Sequence, residues 1–236
     1  MQIRRETIGS QTYDLLRDRI LSGELPGGAH IAQSALSEEM GISRIPIRDA
    51  LQRLESDGLV AGDDIGRYTV VPFTAEDAKE IYAVRRKLEP FAIEIAAGKL
   101  SDDGLAALKA LHAKLTQAAR DRDLKRYTDL NVEFHTAIYE ASGMRRLVRI
   151  IRGLWRGVPQ LTPIVLEGRI TRSQREHDEI LKRLFERDGP GAAAALERHI
   201  DNAGAELRGR MDDGIASKGP KPTSARERRG HGQVAD

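Results

Sequence analysis

Cysteine is absent from these 236 residues. That excludes disulfides and thiolate chemistry, fits a reducing compartment, and limits any metal site to nitrogen and oxygen ligands. No apolar run approaches the roughly 18 residues needed to cross a bilayer, and Met1 to Ser10 lacks the hydrophobic centre of a signal peptide. The expectation is a soluble, cytoplasmic protein with no membrane partner. The chain also lacks a decisive excess of either charge, since 38 Lys and Arg against 36 Asp and Glu leave a formal +2. Residues 1–72 even run acidic, with eight Arg, no Lys and eleven Asp or Glu, a balance of −3. A nucleic-acid binder usually shows a basic surplus, so affinity for a polyanion would have to come from where the arginines sit. At this length two modest domains can each bury a core.

The densest pattern lies at 36–60. Leu36, Met40 and Ile42 bracket a turn at Gly41; Ile47, Leu51 and Leu54 then recur at helical spacing until Gly58. Two short helices around a glycine outline a helix-turn-helix, in which the second helix enters the major groove with its N-terminal residues nearest the base edges. Those residues are Ser43, a capping hydroxyl, with Arg44, Ile45 and Arg48. Periodicity alone also suits a structural helical hairpin. The run Ser43-Arg44-Ile45-Pro46-Ile47-Arg48-Asp49-Ala50-Leu51, with Leu54 and Asp57-Gly58-Leu59-Val60 after it, resembles the winged-helix signature of GntR-type bacterial transcription regulators over about residues 10–72. The resemblance implies that Arg44 and Arg48 contact double-stranded DNA, and it places Pro46 in the first helical turn, where a missing N–H is harmless.

The flanks fit that outline. Residues 11–22 read as a helix with Tyr13, Leu16, Ile20 and Leu21 on one face, ended by Gly23 and the turn at Leu25-Pro26-Gly27-Gly28, with a short strand near His30 and Ile31. Residues 61–72 suit a two-stranded hairpin, the wing, in which Gly66 permits close approach to a sugar-phosphate backbone and Arg67 can enter the minor groove. Asp63 and Asp64 would repel phosphate there unless they point away. Two departures from the family stand out: Ile45 where threonine is usual, offering an apolar contact to a thymine methyl, and Ser34 where some relatives carry an arginine.

From Thr74 onward the pattern is helical. Thr74 caps a helix carrying Ile81, Tyr82, Val84 and Leu88, with Glu76 and Asp77 at its positive end, and Pro90 is expected to bend or restart it. Further helices are expected at 101–120, 124–141, 147–155, 171–187 and 192–211, and six helices with short connections make an antiparallel bundle. After about Arg210 little remains to bury and disorder is expected. The fold class is therefore mainly α: a winged helix-turn-helix domain with a small β wing at 1–73, an all-helical bundle at 74–210, and a tail at 211–236.

Within the bundle, His135 follows Asn131 by four residues on one helical face, while His177 and His199 lie on two other helices. Three imidazoles and an amide on three helices can converge inside a bundle to hold a metal; each histidine alone also suits a half-buried polar residue with a local hydrogen bond. Phe134-His135, Glu176-His177 with Ile180 and Leu181, and Ala195 with His199-Ile200 resemble the FCD ligand-binding domain of the FadR-like branch of the GntR family. Metal-containing members of that branch use an aspartate and three histidines at the positions matching Asn131, His135, His177 and His199. Asn131 departs from the pattern, because its amide oxygen can coordinate but brings no charge. A divalent ion, zinc or nickel ahead of manganese, is the implied cofactor, and a small organic acid is the implied effector.

Arg85 lies in Val84-Arg85-Arg86-Lys87-Leu88-Glu89, which resembles the helix where the family points an arginine into its cavity. It suits a bidentate effector carboxylate and equally a salt bridge to Glu89. Arg86, Lys87, Lys182, Arg183, Arg187, Arg145 and Arg146 read as solvated, and Trp155 as core. The function expected is a ligand-responsive regulator, repression being the commoner logic, which binds a near-palindromic operator as a homodimer. Two alternatives stand beside it: a metal-dependent hydrolase or lyase with Glu133 or Glu176 as general base, although neither lies in an HExxH spacing, and a constitutive DNA-binding protein without metal.

Overall fold

The structure, a computed structural model, describes residues 7–156 and 168–212. Its described elements run α1 (Ile8–Leu21), β1 (His30–Ile31), α2 (Gln33–Met40), α3 (Arg44–Ser56), β2 (Val60–Gly62), β3 (Tyr68–Val70), α4 (Ala75–Ala97), α5 (Asp102–Arg120), α6 (Leu124–Ala141), α7 (Arg145–Arg156), α8 (Arg169–Phe185) and α9 (Gly189–Asp212). This is the mainly α architecture expected, with a small antiparallel sheet of order β1-β3-β2. The disorder expected at 211–236 concerns residues outside the described ones, except Met211 and Asp212, which complete α9.

The N-terminal core forms because each short element offers one apolar face. Tyr13 and Leu16 of α1, Leu36 of α2, and Ile47, Leu51 and Leu54 of α3 bury together with Val60, Tyr68 and Val70 from the sheet. Gly41 closes α2 at φ 64, a left-handed conformation that costs glycine little, and this turn sets α3 against α2. The register pairs Val60 with Val70 and Gly62 with Tyr68, while β1 joins through Ile31 opposite Tyr68. The wing is thus stitched to the strand that precedes α2.

A separate core fills the helical part. Ala92, Ile93 and Ala96 of α4 pack with Phe134 and Ile138 of α6 and Ile180 of α8. The capping box at the start of α4 is present: the Thr74 hydroxyl accepts from the Asp77 N–H at 3.1 Å, and the Asp77 carboxylate accepts from the Thr74 N–H at 2.8 Å. α4 lies along α9, and Gly204 is what lets it, because a Cβ there would sit 2.7 Å from the Tyr82 ring. The restart expected at Pro90 does not occur; α4 is one helix of 23 residues with Pro90 inside it. Proline removes one hydrogen bond to the preceding turn, and the buried faces on either side of it, Arg85 and Glu89 before and Ala92 and Ile93 after, hold the helix together across the gap.

Candidate functional site

Two polar constellations stand out, one on the surface of the N-terminal part and one inside the bundle. On the first, Ser43, Arg44, Ile45 and Arg48 are all exposed at the start of α3, Ile45 at 64%, and neither arginine is drawn into an ion pair among the described residues. Ser43 occupies the N-cap position, yet its hydroxyl makes no capping hydrogen bond. That corrects the expected role and leaves the hydroxyl outward. Ser34 is exposed on α2, and Gln33 beside it donates to the Gly66 carbonyl at 3.0 Å, bracing the wing tip. Gly66 has φ 76. Asp63 does not simply face away from the duplex side: its carboxylate accepts from the Ile65 and Arg67 N–H groups and from Arg67 Nε at 2.8 Å. Those bonds hold its carboxyl below the ordinary range, Arg67 first among the causes. The repulsive charge is therefore spent on shaping the turn and aiming Arg67, which remains 74% exposed.

Inside the bundle, α6, α8 and α9 bring His135, His177 and His199 together with their ligand atoms within 4.8 Å of one another. His135 Nε2 lies 3.1 Å from His177 Nε2, and the His135 and His199 rings stack at 5.1 Å. All three are buried. Burial, reinforced by His199 and by the Arg85 and Arg169 cations, pushes His135 well below its usual pKa; burial, with the same two arginines, lowers His199 against the pull of Glu176. His177 falls well below for the same cause, with His199, His135, His112 and Arg169 adding to burial. The imidazoles are neutral at pH 7, the form that coordinates metals.

For His135 and His199 an outer partner fixes which nitrogen is bare, whereas His177 Nδ1 is buried with no hydrogen-bond partner among the described residues. Tyr139 donates its hydroxyl to Glu89 at 2.5 Å, so its oxygen accepts from His135 Nδ1 at 3.2 Å and Nε2 carries the lone pair. Glu176 accepts from His199 Nδ1 at 2.7 Å, from Asn202 at 2.8 Å and from Arg169 at 2.8 Å. Burial alone would raise its carboxyl, and these donors bring it down to about 2. A carboxylate that holds the far side of an imidazole is the usual second layer of a metal site. Asn131, one turn before His135, has a buried Oδ1 with no hydrogen-bond partner among the described residues. An acceptor buried without a donor costs about 1–3 kcal/mol, and a cation or donor beside it removes that cost. The residues present thus fit a divalent ion.

Arg85 makes the salt bridge that stood as one of its two readings. Its Nε donates to Glu89 at 2.7 Å with both side chains buried, and Glu89 also accepts from Tyr139 and from Trp155 Nε1 at 2.7 Å. Burial works against the Arg85 cation, and Glu89 more than reverses it. The guanidinium lies over the Trp155 ring, 4.3 Å from its centroid; Trp155, expected as plain core, is half-buried and lines the polar chamber. Sequence reasoning missed Arg169, 3% exposed and bound to Glu176, and His112, whose ring meets His177 edge-on at 6.0 Å. Arg169 was findable, because Glu176 follows it by two helical turns on the same face. Arg86, read as solvated, pairs with Glu197 at 2.7 Å on α9.

An exposed arginine-bearing helix, a braced wing and a helical body with a buried polar chamber define a winged-helix transcription regulator. Residues 8–64 match the model of bacterial regulatory proteins, gntR family, and residues 80–202 match the FCD domain. The chain belongs to the GntR family, and its helical part is an FCD domain. It is similar to the HTH-type transcriptional regulator YdhC of Bacillus subtilis, 32% identical over 149 residues that cover 60% of this chain and 63% of that one. It is similar as well to McbR of Escherichia coli, 32% identical over 145 residues, 61% of this chain and 66% of McbR. The matched stretch spans just under two thirds of each relative. The solved structure of E. coli McbR/YncC superposes with TM-score 0.76 at 26% identity, over 87% of this chain and 99% of that one. The metal-free FCD domain of TM0439 shares the fold, with TM-score 0.51 and 22% identity over 60% of this chain and 98% of that domain.

These relatives are transcription regulators, not enzymes, and neither glutamate weighed as a general base is placed to act as one. Glu133 is exposed on α6, and Glu176 is committed to His199, Asn202 and Arg169. Among the described residues, no helix is long and apolar enough to cross a membrane.

Proposed function

We propose that this protein is a ligand-responsive transcription regulator, acting as a repressor, that binds a near-palindromic operator as a homodimer in the cytoplasm. The observation that carries the DNA-binding half is the exposure of Arg44 and Arg48, without ion-pair partners among the described residues, at the N-terminal end of α3, where a groove-reading helix presents its side chains. Ser34, Ser43 and Ile45 join them, and Gly66 and Arg67 meet the backbone from the wing. Residues 1–73 form the reading head and 74–210 the effector and dimerisation domain; two linked heads gain affinity because the second binding event follows the first at high effective concentration.

In the bundle, Asn131, His135, His177 and His199 would hold a divalent ion, zinc or nickel by their neutral nitrogen-rich donor set. Such an ion supplies a Lewis-acidic centre with open positions for an oxygen anion. A small organic acid would place its carboxylate there, with the Arg85 guanidinium beside it, since Arg85 uses Nε on Glu89 and retains further donors. The test is selection of bound duplexes from a random library, followed by a screen of small carboxylic acids for release of the selected DNA. A two-fold symmetric consensus released by one acid class supports the reading. Uniform binding of all sequences would overturn it.

A further inference from the structure

The charges around the histidine chamber have a consequence for how it fills, and it rests on the metal reading above. Among the described residues, the donors gathered at the site are neutral: three imidazoles, with the orphaned Asn131 amide oxygen one helical turn before His135. The carboxylates nearby are already committed. Glu89, fully buried, accepts from Arg85, Tyr139 and Trp155. Glu176 accepts from Arg169, His199 and Asn202. Glu206 is taken by Arg169 and Arg172. Two buried guanidinium groups, Arg85 at 6% exposure and Arg169 at 3%, stand over the chamber and offset the two carboxylates beside them. A doubly charged ion entering alone brings its whole charge into a region of low dielectric with nothing to neutralise it. A carboxylate entering alone finds arginines already paired.

We propose that in this protein the metal and an exogenous carboxylate bind as an obligate pair, each raising the affinity of the other, because among the described residues no uncommitted carboxylate stands beside the three imidazoles. Asn131 is the residue that sets this dependence. A carboxylate at that position would neutralise half the ion's charge from within and make the metal a resident. With an amide there, the last anionic ligand has to be the effector, so occupancy of the metal itself reports the small acid. By linkage, the factor by which carboxylate tightens metal equals the factor by which metal tightens carboxylate.

The test measures zinc affinity of the full-length protein by competition with a chromophoric chelator in carboxylate-free perchlorate buffer, then with acetate or benzoate added at a concentration that leaves free zinc unchanged. The expected result is a gain of about tenfold or more on adding carboxylate. Asn131→Asp should bind zinc at least tenfold more tightly than wild type without carboxylate and should show a smaller gain when carboxylate is added. Wild-type zinc affinity that is already tight and indifferent to carboxylate would overturn the pairing while leaving the metal site in place, and so would an Asn131→Asp variant that keeps the full carboxylate dependence. Zinc absent from both proteins under every condition would overturn the metal reading itself, and the pairing with it.

Discussion

Glu89 is the side chain on which the bundle's polar interior depends most heavily. It is 0% exposed and accepts from a buried guanidinium, a buried phenol and an indole N–H. Glu89→Leu keeps the volume roughly and removes the acceptor for all three. Breaking one partner out of a buried ion pair costs about 3–5 kcal/mol, because the remaining charge is stranded. The orphaned phenol can turn toward His135 and the half-buried indole can reach water, so they add little; the expected loss is about 4 kcal/mol. Arg85→Leu should cost less, about 2 kcal/mol, since Glu89 keeps two donors. The double variant removes the stranded charge altogether and should fall well short of the sum, with a coupling of about 2 kcal/mol. Urea unfolding followed by the fluorescence of Trp155, the single tryptophan of the chain, reads this part of the molecule directly. A Glu89→Leu cost under about 1 kcal/mol, or single-variant costs that simply add, would refute the account of a stranded buried charge.

Three more outcomes are expected. Arg44→Ala or Arg48→Ala should each weaken binding to the selected operator by about 1–3 kcal/mol in fluorescence anisotropy with the fold intact, and unchanged affinity would remove them from the reading surface. His135→Ala, His177→Ala and His199→Ala should each abolish stoichiometric zinc in elemental analysis of protein reconstituted with zinc and carboxylate; full retention in any one would dissolve the proposed cluster. Gly204→Ala should destabilise the bundle by about 1–3 kcal/mol, because its Cβ would lie 2.7 Å from Tyr82; a urea midpoint equal to wild type would mean that α4 and α9 part at no cost.

What the sequence made legible was whatever repeats locally. The spacing of Ile47, Leu51 and Leu54 announces α3, and all three are fully buried; Thr74 and Asp77 announce the start of α4, and the reciprocal cap is there. The three histidines were legible as a set through their family setting, and they do converge. What stayed hidden was the second layer. Trp155 reaches Glu89 across 66 positions and His199 reaches Glu176 across 23, and no local periodicity encodes such pairings. Arg169 had a local cue in Glu176 two helical turns on, but only tertiary packing shows it to be 3% exposed. At Pro90 and Ser43 the local rule lost for the opposite reason. Packing on both sides of Pro90 outweighed one missing hydrogen bond, while the exposed Ser43 hydroxyl was left unbonded at its cap position.

The position of Arg85 and Glu89 along α4 ties the chamber to the reading head on the proposed function. β3 ends at Val70 and α4 begins at Ala75, so the helix that carries the chamber's ion pair is joined to the wing by four residues, of which Phe73 packs against the bundle core and Thr74 caps the helix. A carboxylate that engages the remaining donors of Arg85 loads the guanidinium that Glu89 already holds through Nε and pulls on α4 near its middle. The continuity of that helix through Pro90 matters here, because a broken helix would absorb the displacement where a single one passes it to its end. A coupling of about 1–3 kcal/mol between effector and operator is all that regulation requires, and an ion pair worth a few kcal/mol at the centre of α4 is large enough to supply it. It follows that Arg85→Leu should leave operator affinity in the absence of acid near wild type while abolishing release by acid. Release that survives intact in that variant would show that the signal leaves the chamber by another helix.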